Sequence, residues 1–267
     1  MEVNTLKKRL KVLTGSALAT SLILGGSISA FAADGGEYNS SGTVKFKPYT
    51  GITEPVDPND PDKEVKPENP DGTDPNPGTN GPLSIDFASS LDFGENEISN
   101  VDQVYYAAPQ KVNITDDQGA VTQENRANYV QISDNRGSNA GWTLKVKQEG
   151  QFENDATLNP VLTGSQIKFV DGVPVTNMEN VTAPTASDIT LDPSGAESLV
   201  MTAAENTGAG KWLDVFGTVV NVGGEPKNAA ITLSVPGSTP KDAVEYSTKL
   251  TWVLTDSPTN NDSPTHN

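Results

Sequence analysis

Apolar residues recur at every second position in many short stretches of this chain. Leu83, Ile85 and Phe87 alternate with polar residues in this way. The same alternation is found at Val112 and Ile114; Val130 and Ile132; Trp142, Leu144 and Val146; Ile167 and Phe169; Ile189 and Leu191; Ile231, Leu233 and Val235; and Leu250, Trp252 and Leu254. Such runs, separated by Gly, Asn, Asp and Pro, are typical of half-buried antiparallel strands. They predict an all-β protein with a single antiparallel β-sandwich-like domain, a barrel being the related possibility.

A helical pattern is much weaker. The best candidate is "SGAESLVMTAAENTG" at 194–208, and a strand that ends in a turn is the alternative for the same residues. The choice between them stays open, because a short apolar run does not separate the two by periodicity alone.

Residues 48–82 hold nine of the 19 prolines and many of the acidic residues. Proline fixes φ and donates no backbone hydrogen bond, which argues against a helix or a central strand. We expect a long, extended, solvent-exposed acidic loop or linker. The carboxylates of "DPNDPD" at 57–62 lack the glycine-centred turn of an EF-hand loop, so a solvated linker is favoured over a calcium site.

Just before this stretch, "SGTVKFKPY" places Val44 and Phe46 on one side of a predicted short strand. We expect this strand to join the sheet of the domain. The alternative is a disordered N-terminal arm.

The first 32 residues have the composition of a signal peptide. Basic residues at 7–11 precede a mainly apolar run at 12–29, and Ala30-Phe31-Ala32 fits a small-x-small cleavage site. The glycines, serines and threonines of the run make it a poor permanent membrane span. We therefore expect an exported, extracellular protein with no transmembrane anchor.

Charge and residue types restrict the chemistry. Without the predicted signal peptide, 18 basic and 35 acidic residues fall by four and one, which leaves a net charge near −20 and argues against nucleic acid and anionic membranes as partners. There is no Cys, and the single His is His266. Thiolate chemistry, Ser–His catalysis and His-containing zinc sites are therefore not expected, and no pair of carboxylates is distinguished as a glycosidase pair. We expect no enzyme activity, no cofactor and no metal site.

Two short segments share a local pattern, "GWTLKV" at 141–146 and "LTWVLTD" at 250–256. On a strand, Trp142 shares a face with Leu144, and Trp252 shares a face with Leu254. Each tryptophan either packs in a core or forms a platform for sugar rings or a protein partner. Nearby Arg136, Lys145 and Lys147 are a candidate basic patch or ordinary solvated charge. Tyr246 is predicted on the same face as Trp252, and Trp212 and Phe216 of "KWLDVFG" are predicted to share a face.

The flanks of both segments carry a resemblance. "YVQISDNRGSNAGWTLKV" (129–146) and "YSTKLTWVLTDSP" (246–258) resemble the two signature segments of the WxL domain of surface proteins in low-GC Gram-positive bacteria. "SGTVKF", "LDFG" and "LSVPGSTP" resemble further positions of that family. The resemblance implies a WxL-type cell-wall-binding domain at 33–258, followed by a tail at 259–267 that we expect to be disordered.

What the resemblance implies about function is a non-catalytic surface protein, attached non-covalently to the cell wall through peptidoglycan. The motif residues that it carries over as binding positions are Trp142, Leu144, Trp252 and Leu254. It also implies partner surface proteins that are encoded nearby. The alternative is a subunit of a surface complex, or an adhesin that binds host or partner-protein ligands. Because neither an L-P-x-T-G sequence nor a lipobox Cys is found, we expect retention by binding.

Overall fold

The computed structural model describes residues 37–256. The predicted signal peptide at 1–32 and the predicted tail at 259–267, with His266, lie outside these residues. The chain divides into two compact units, 1–44 and 45–267. Residues 37–44, the described part of the first unit, contain no helix or strand. The fold below is that of the second unit.

The described residues form 18 strands and no helix, so the prediction of an all-β protein is confirmed. The strands are β1 (Val56–Asp57), β2 (Asp60–Glu64), β3 (Lys66–Glu68), β4 (Leu83–Ala88), β5 (Gln103–Ala107), β6 (Gln110–Thr115), β7 (Val121–Arg126), β8 (Tyr129–Asp134), β9 (Trp142–Gln148), β10 (Gln166–Phe169), β11 (Gly172–Val175), β12 (Thr185–Ala186), β13 (Ile189–Thr190), β14 (Ser198–Ala203), β15 (Gly210–Phe216), β16 (Val219–Val222), β17 (Glu225–Val235) and β18 (Leu250–Thr255). Within the helix candidate at 194–208, the structure has strand β14 (Ser198–Ala203), which was the alternative prediction for this segment. With no helix, this part of the chain also has none that is long and apolar enough to cross a membrane.

All strand pairs are antiparallel, as predicted. The strands are divided among five small sheets, in the orders β1-β2, β13-β10-β17-β16 with β5 also on β17, β11-β15-β8-β4, β12-β14-β9-β18, and β3-β6-β7. The sheets are arranged in a propeller-like ring, so two large facing sheets, as in a sandwich, do not describe this architecture. The physical reason is strand length: every strand except β17 has only two to seven residues, so none of the sheets grows large enough to cover another across a sandwich.

One main core joins three of these sheets. Its largest fully buried side chains include Trp142, Trp212, Phe169 and Phe216. Trp212 and Phe216 lie on the same face of β15, as their spacing predicted. Leu213, on the opposite face of β15, belongs to a second, smaller cluster with Val56, Phe87 and Tyr129. Period-two alternation therefore works on both faces of this strand.

The Pro-rich stretch differs from the expected exposed connector. It contains β1, β2 and β3, and Val56 and Asp57 in β1 are buried. Asp57 accepts hydrogen bonds from Nε and a terminal nitrogen of Arg126 at 2.6 and 2.8 Å. The Val56 amide donates to Gln131 Oε1 at 2.8 Å. Proline still keeps the stretch out of central strand positions, because β1 and β2 form their own pair and β3 is an edge strand.

The predicted strand around Val44 and Phe46 is wrong. Residues 37–50 have no regular secondary structure, and these two side chains are 78% and 86% exposed. The alternation is present, yet within the described residues no neighbouring strand pairs with it. A pattern of side chains does not by itself supply the second strand that a sheet requires.

Candidate functional site

The two motif segments are neighbours in one sheet. Strands β9 and β18 pair antiparallel, with Trp252 opposite Val146 and Leu254 opposite Leu144. β9 also pairs with β14 on its other side, so it lies inside the sheet, while β18 lies at its edge. We call this sheet, β12-β14-β9-β18, the motif sheet. The four predicted site residues are thus brought together, although the two segments are far apart in the sequence.

The first motif is part of the main core. Trp142 and Leu144 are both 0% exposed. The Trp142 indole Nε1 donates a hydrogen bond to the Gly208 carbonyl oxygen at 2.8 Å, so its single polar group is satisfied inside the protein. These side chains have no surface with which to touch a ligand in this structure.

Two glycines frame the Trp142 side chain and backbone. Gly208 has φ +71°, and a Cβ built there would lie 2.7 Å from Trp142 Nε1. Gly141 has φ +75°, and a Cβ there would lie within 3 Å of the Ala204 carbonyl carbon and oxygen. Both positions require a left-handed backbone and leave no room for a side chain. The glycine before the first tryptophan is therefore explained by local geometry.

The second motif lies half-buried against the same core. Trp252 and Leu254 pack on the main cluster but keep part of their surface exposed. The Trp252 ring meets Phe169 edge to face, with centroids 6.4 Å apart and planes at 85°. Strand β18 begins at Leu250, so Tyr246 is outside it. The Tyr246 hydroxyl instead donates to the Asn159 carbonyl oxygen at 2.8 Å.

The basic side chains beside the first motif are ion-paired. Lys145 Nζ lies 3.0 Å from Glu197 Oε2, and Lys147 Nζ lies 3.2 Å from Glu149 Oε1. The carboxylate of Asp134, which is buried, accepts two hydrogen bonds from Arg136 at 2.9 and 2.8 Å, and this contact raises the pKa of Arg136. A third bond from Arg136 to the Gly141 carbonyl oxygen, at 2.7 Å, braces the turn that enters β9. The candidate basic patch is therefore neutralised by its own neighbours.

A concave surface is found elsewhere, between two loops. We call it the groove, a depression of about 300 Å³ lined by residues 98–100, Asn159 and residues 237–241. Lys241 Nζ donates to the Ser99 carbonyl oxygen at 2.8 Å and so joins the two loops. The Gly237 amide donates to Asp102 Oδ1 at 2.8 Å.

The carboxylate of Asp242 fixes the position of Asn159, one of the groove residues. This carboxylate accepts hydrogen bonds from the Thr157 hydroxyl and from the Asn159 amide and side chain, the latter two at 2.8 Å each. These bonds, the Thr157 hydroxyl first, hold the pKa of Asp242 below its ordinary value. A carboxylate held in this way stays ionised and fixes the loop at neutral pH.

The lining of the groove offers both donors and an apolar wall. Ser238 and Asn100 are exposed, and no hydrogen bond from either side chain is found among residues 37–256. Ile98 is 58% exposed beside them, and the Lys241 ammonium supplies positive charge. Polar groups around a small apolar surface suit a ligand with hydroxyl and amide groups. The sequence segment "LSVPGSTP" contributes to this lining, but nothing in its residue types marked it as a site.

Two carboxylates are buried away from the groove. Asp86 accepts hydrogen bonds from Ser84, Gln131 and Ser133, while burial raises its pKa. Asp214 is 0% exposed, neither of its oxygens has a partner, and burial raises its pKa to about 7. Neither group lines the groove. In the described part of the chain, no cluster of three or more His, Cys, Asp or Glu residues has the geometry to hold a metal ion.

Comparison with known proteins gives one match. A family model described as "WxL domain surface cell wall-binding" matches residues 33–258. Neither the curated proteins nor the solved structures yielded a match.

Proposed function

The chain belongs to the WxL domain surface cell wall-binding family, and we propose that it is held at the wall by non-covalent binding to peptidoglycan. Membership of this family locates the protein at the cell wall and the cell surface. The observation that carries the proposal is the family match over 33–258, together with the pairing of both motif strands in one sheet. We further propose that the attachment involves no catalysis.

In this proposal the motif residues act mainly through the fold. The burial of Trp142 and Leu144 supports the core-packing role that the sequence left open for them. Trp252 and Leu254, at the edge of the motif sheet, keep some exposed surface and are proposed to add apolar contact to a ligand or partner.

The groove is the surface that we propose for direct contact with the wall. Peptidoglycan presents hydroxyl, acetamido and carboxylate groups, and the free Ser238 and Asn100 side chains and the Lys241 ammonium are complementary to them. A chain with a net charge of −17 is repelled by anionic wall polymers, so short-range contacts in a shaped site must supply the affinity. The internal hydrogen bonds of Asp242 keep this carboxylate ionised, which argues against a role for it as a general acid.

The test is sedimentation of the protein with insoluble cell wall, untreated and depleted of teichoic polymers. We expect the protein in the pellet with both preparations. Ser238→Trp fills the groove, so this variant is expected to remain in the supernatant. The matched control is Thr182→Trp, because Thr182 is exposed and lies outside the groove. Protein that stays in the supernatant with both walls contradicts peptidoglycan binding. Binding that Ser238→Trp leaves intact contradicts the groove alone.

A second candidate function is that of a subunit in a complex with other surface proteins encoded nearby, or of an adhesin for host ligands. The observation that favours it is exposed apolar surface on the loops that frame the groove. Leu158, Val101 and Val244 are 89%, 59% and 44% exposed. Exposed apolar side chains grouped near one site are typical of protein-binding surfaces. Crosslinking on intact cells is expected to recover neighbouring surface proteins, and recovery of glycan alone contradicts this role.

A further inference from the structure

One segment of the chain has the alternating sequence pattern of a strand but forms no strand in this structure. Residues 43–48, "TVKFKP", alternate between apolar and basic side chains: Val44 and Phe46 on one side, Lys45 and Lys47 on the other. Val44 and Phe46 are 78% and 86% exposed. Among residues 37–256, no backbone hydrogen bond and no ion pair involves this segment. We call it the donor segment.

The same chain contains an edge strand without a second neighbour. Strand β7 pairs with β6 on one side and is the last strand of its sheet. Its residues 121–125 are all exposed, and Val121 is 63% exposed. Every second residue of such an edge directs its N–H and C=O away from the sheet, ready to pair with another strand. An open edge of this kind is a template on which a strand of another chain can pair.

The side chains of β7 complement those of the donor segment. Glu124 and Thr122 lie on one face of β7, while Val121 and Gln123 lie on the other. In the register that matches the charges, a strand added along β7 places Lys45 and Lys47 on the face of Glu124, and Val44 and Phe46 on the face of Val121. Cross-strand pairs of opposite charge and of apolar residues both stabilise a sheet. Among the described residues, Glu124 already pairs with Arg126 at 2.6 Å, and its second oxygen is open to a lysine.

We propose that the donor segment of one copy adds as an extra strand along β7 of a second copy of this chain. The occupant is a second copy because one and the same chain carries both complementary pieces: Lys45 and Lys47 of the donor segment are basic, and Glu124 on the exposed edge of β7 is acidic. Backbone hydrogen bonds along the edge provide affinity, and the alternating side chains fix the register. Two copies that exchange donor segments form a closed dimer with two such contacts. The inference is independent of the groove and of what the groove binds.

The first test is the mass of the full exported chain in solution over a range of concentrations. We expect dimers that dissociate on dilution, and at least a ~10-fold higher dissociation constant for Phe46→Asp, because a buried charge opposes pairing. Tyr38→Asp is the matched control, since Tyr38 is 91% exposed but outside the donor segment. A monomer at every concentration overturns the proposal, as does an equal loss of association in both variants.

The second test reads the register directly, because the chain has no native Cys. Single-cysteine variants are mixed under mild oxidation, with Lys45→Cys or Lys47→Cys on one copy and Thr122→Cys on the other. A disulfide between copies is expected with Thr122→Cys, which faces the lysines, and at least ~10-fold less with Gln123→Cys, whose side chain lies on the opposite face. No disulfide with Thr122→Cys overturns the proposal. A chain that carries both substitutions and forms the disulfide only within itself also overturns the proposal, because the donor segment then pairs with β7 of its own chain.

Discussion

The two motif strands have nearly the same sequence pattern but different surroundings. In β9, Trp142 and Leu144 are enclosed between β14 and β18 and are fully buried. In β18, Trp252 and Leu254 have a paired neighbour on one side only and remain partly exposed. The difference shows that position in the sheet, and not the local sequence, decides how much of a tryptophan is buried. A shared motif therefore does not imply a shared role for its two copies.

The largest expected effect comes from truncating the two tryptophans separately. Trp142→Ala is expected to lower the free energy of unfolding by about 3–5 kcal/mol, because it leaves a cavity in the core and an unpaired Gly208 carbonyl. Trp252→Ala is expected to cost only about 1–2 kcal/mol, since its surface is already partly in water. Guanidinium unfolding followed by circular dichroism measures both. Equal losses contradict the difference between centre and edge.

The core that encloses Trp142 also gives stability a pH dependence. Asp214 shares a face of β15 with Trp212 and Phe216, so its carboxyl points toward this core. Its folded pKa of about 7 lies above the ordinary value of an unfolded aspartate. The neutral form is favoured on folding, so the full stability is present below about pH 4 and is lost as pH rises through 7.

Asp214→Asn is the variant that isolates this effect. Between pH 4 and pH 8, the wild-type chain is expected to lose on the order of 4 kcal/mol relative to the variant, because Asn does not ionise. Urea unfolding of both proteins at a series of pH values measures the difference. A difference that stays constant across this range contradicts a raised pKa for Asp214.

A smaller effect is expected at the glycine that receives the Trp142 indole. Gly208→Ala is expected to cost roughly 1–3 kcal/mol, because φ is +71° and the new Cβ has no room beside Trp142. Gly119→Ala is the matched control: φ is +84° there, but a Cβ meets no atom within 4 Å. The control carries only the backbone strain, roughly 1 kcal/mol. Thermal unfolding that ranks the two variants equally contradicts the close fit around the indole.

The smallest effect is expected on the polar side of β9. Lys145→Ala removes a partly exposed ion pair with Glu197 and is expected to change stability by at most about 0.5 kcal/mol. A double-mutant cycle with Glu197→Ala measures the coupling. Wall binding is also expected to be unchanged in Lys145→Ala, since this lysine is paired and lies outside the groove. A loss of wall binding in Lys145→Ala contradicts this expectation and indicates that the basic patch contacts the wall.

Much of the secondary structure was predictable from alternation alone. Trp142, Leu144 and Val146 share a buried face, as their spacing predicted, because a strand forces residues two apart onto one side. The pairing of β9 with β18 was beyond such reasoning. Alternation says which face of a strand is apolar, but not which of many strands lies beside it.

The candidate site was less predictable for the same reason. Lys145, Lys147 and Arg136 look like a basic patch in the sequence, but Glu197, Glu149 and Asp134 neutralise them in the fold. The groove is built by loops from distant parts of the chain and has no local signature. The Pro-rich stretch was expected to be exposed, yet buried Val56 and the Asp57–Arg126 pair tie it to the domain. The Pro-rich stretch has few apolar residues, and its composition did not show that these few are enough to pack it against the domain.

The pairing of β9 with β18 has a consequence for when folding is completed. β18 is the last strand of the described chain, and it is needed to finish a sheet whose inner strand was made about 100 residues earlier. When the chain is made or exported from its N-terminus, this sheet stays unfinished until β18 has emerged. Contacts between residues so distant in sequence also form slowly. The topology thus delays closure of the motif sheet until the last of the described strands is available.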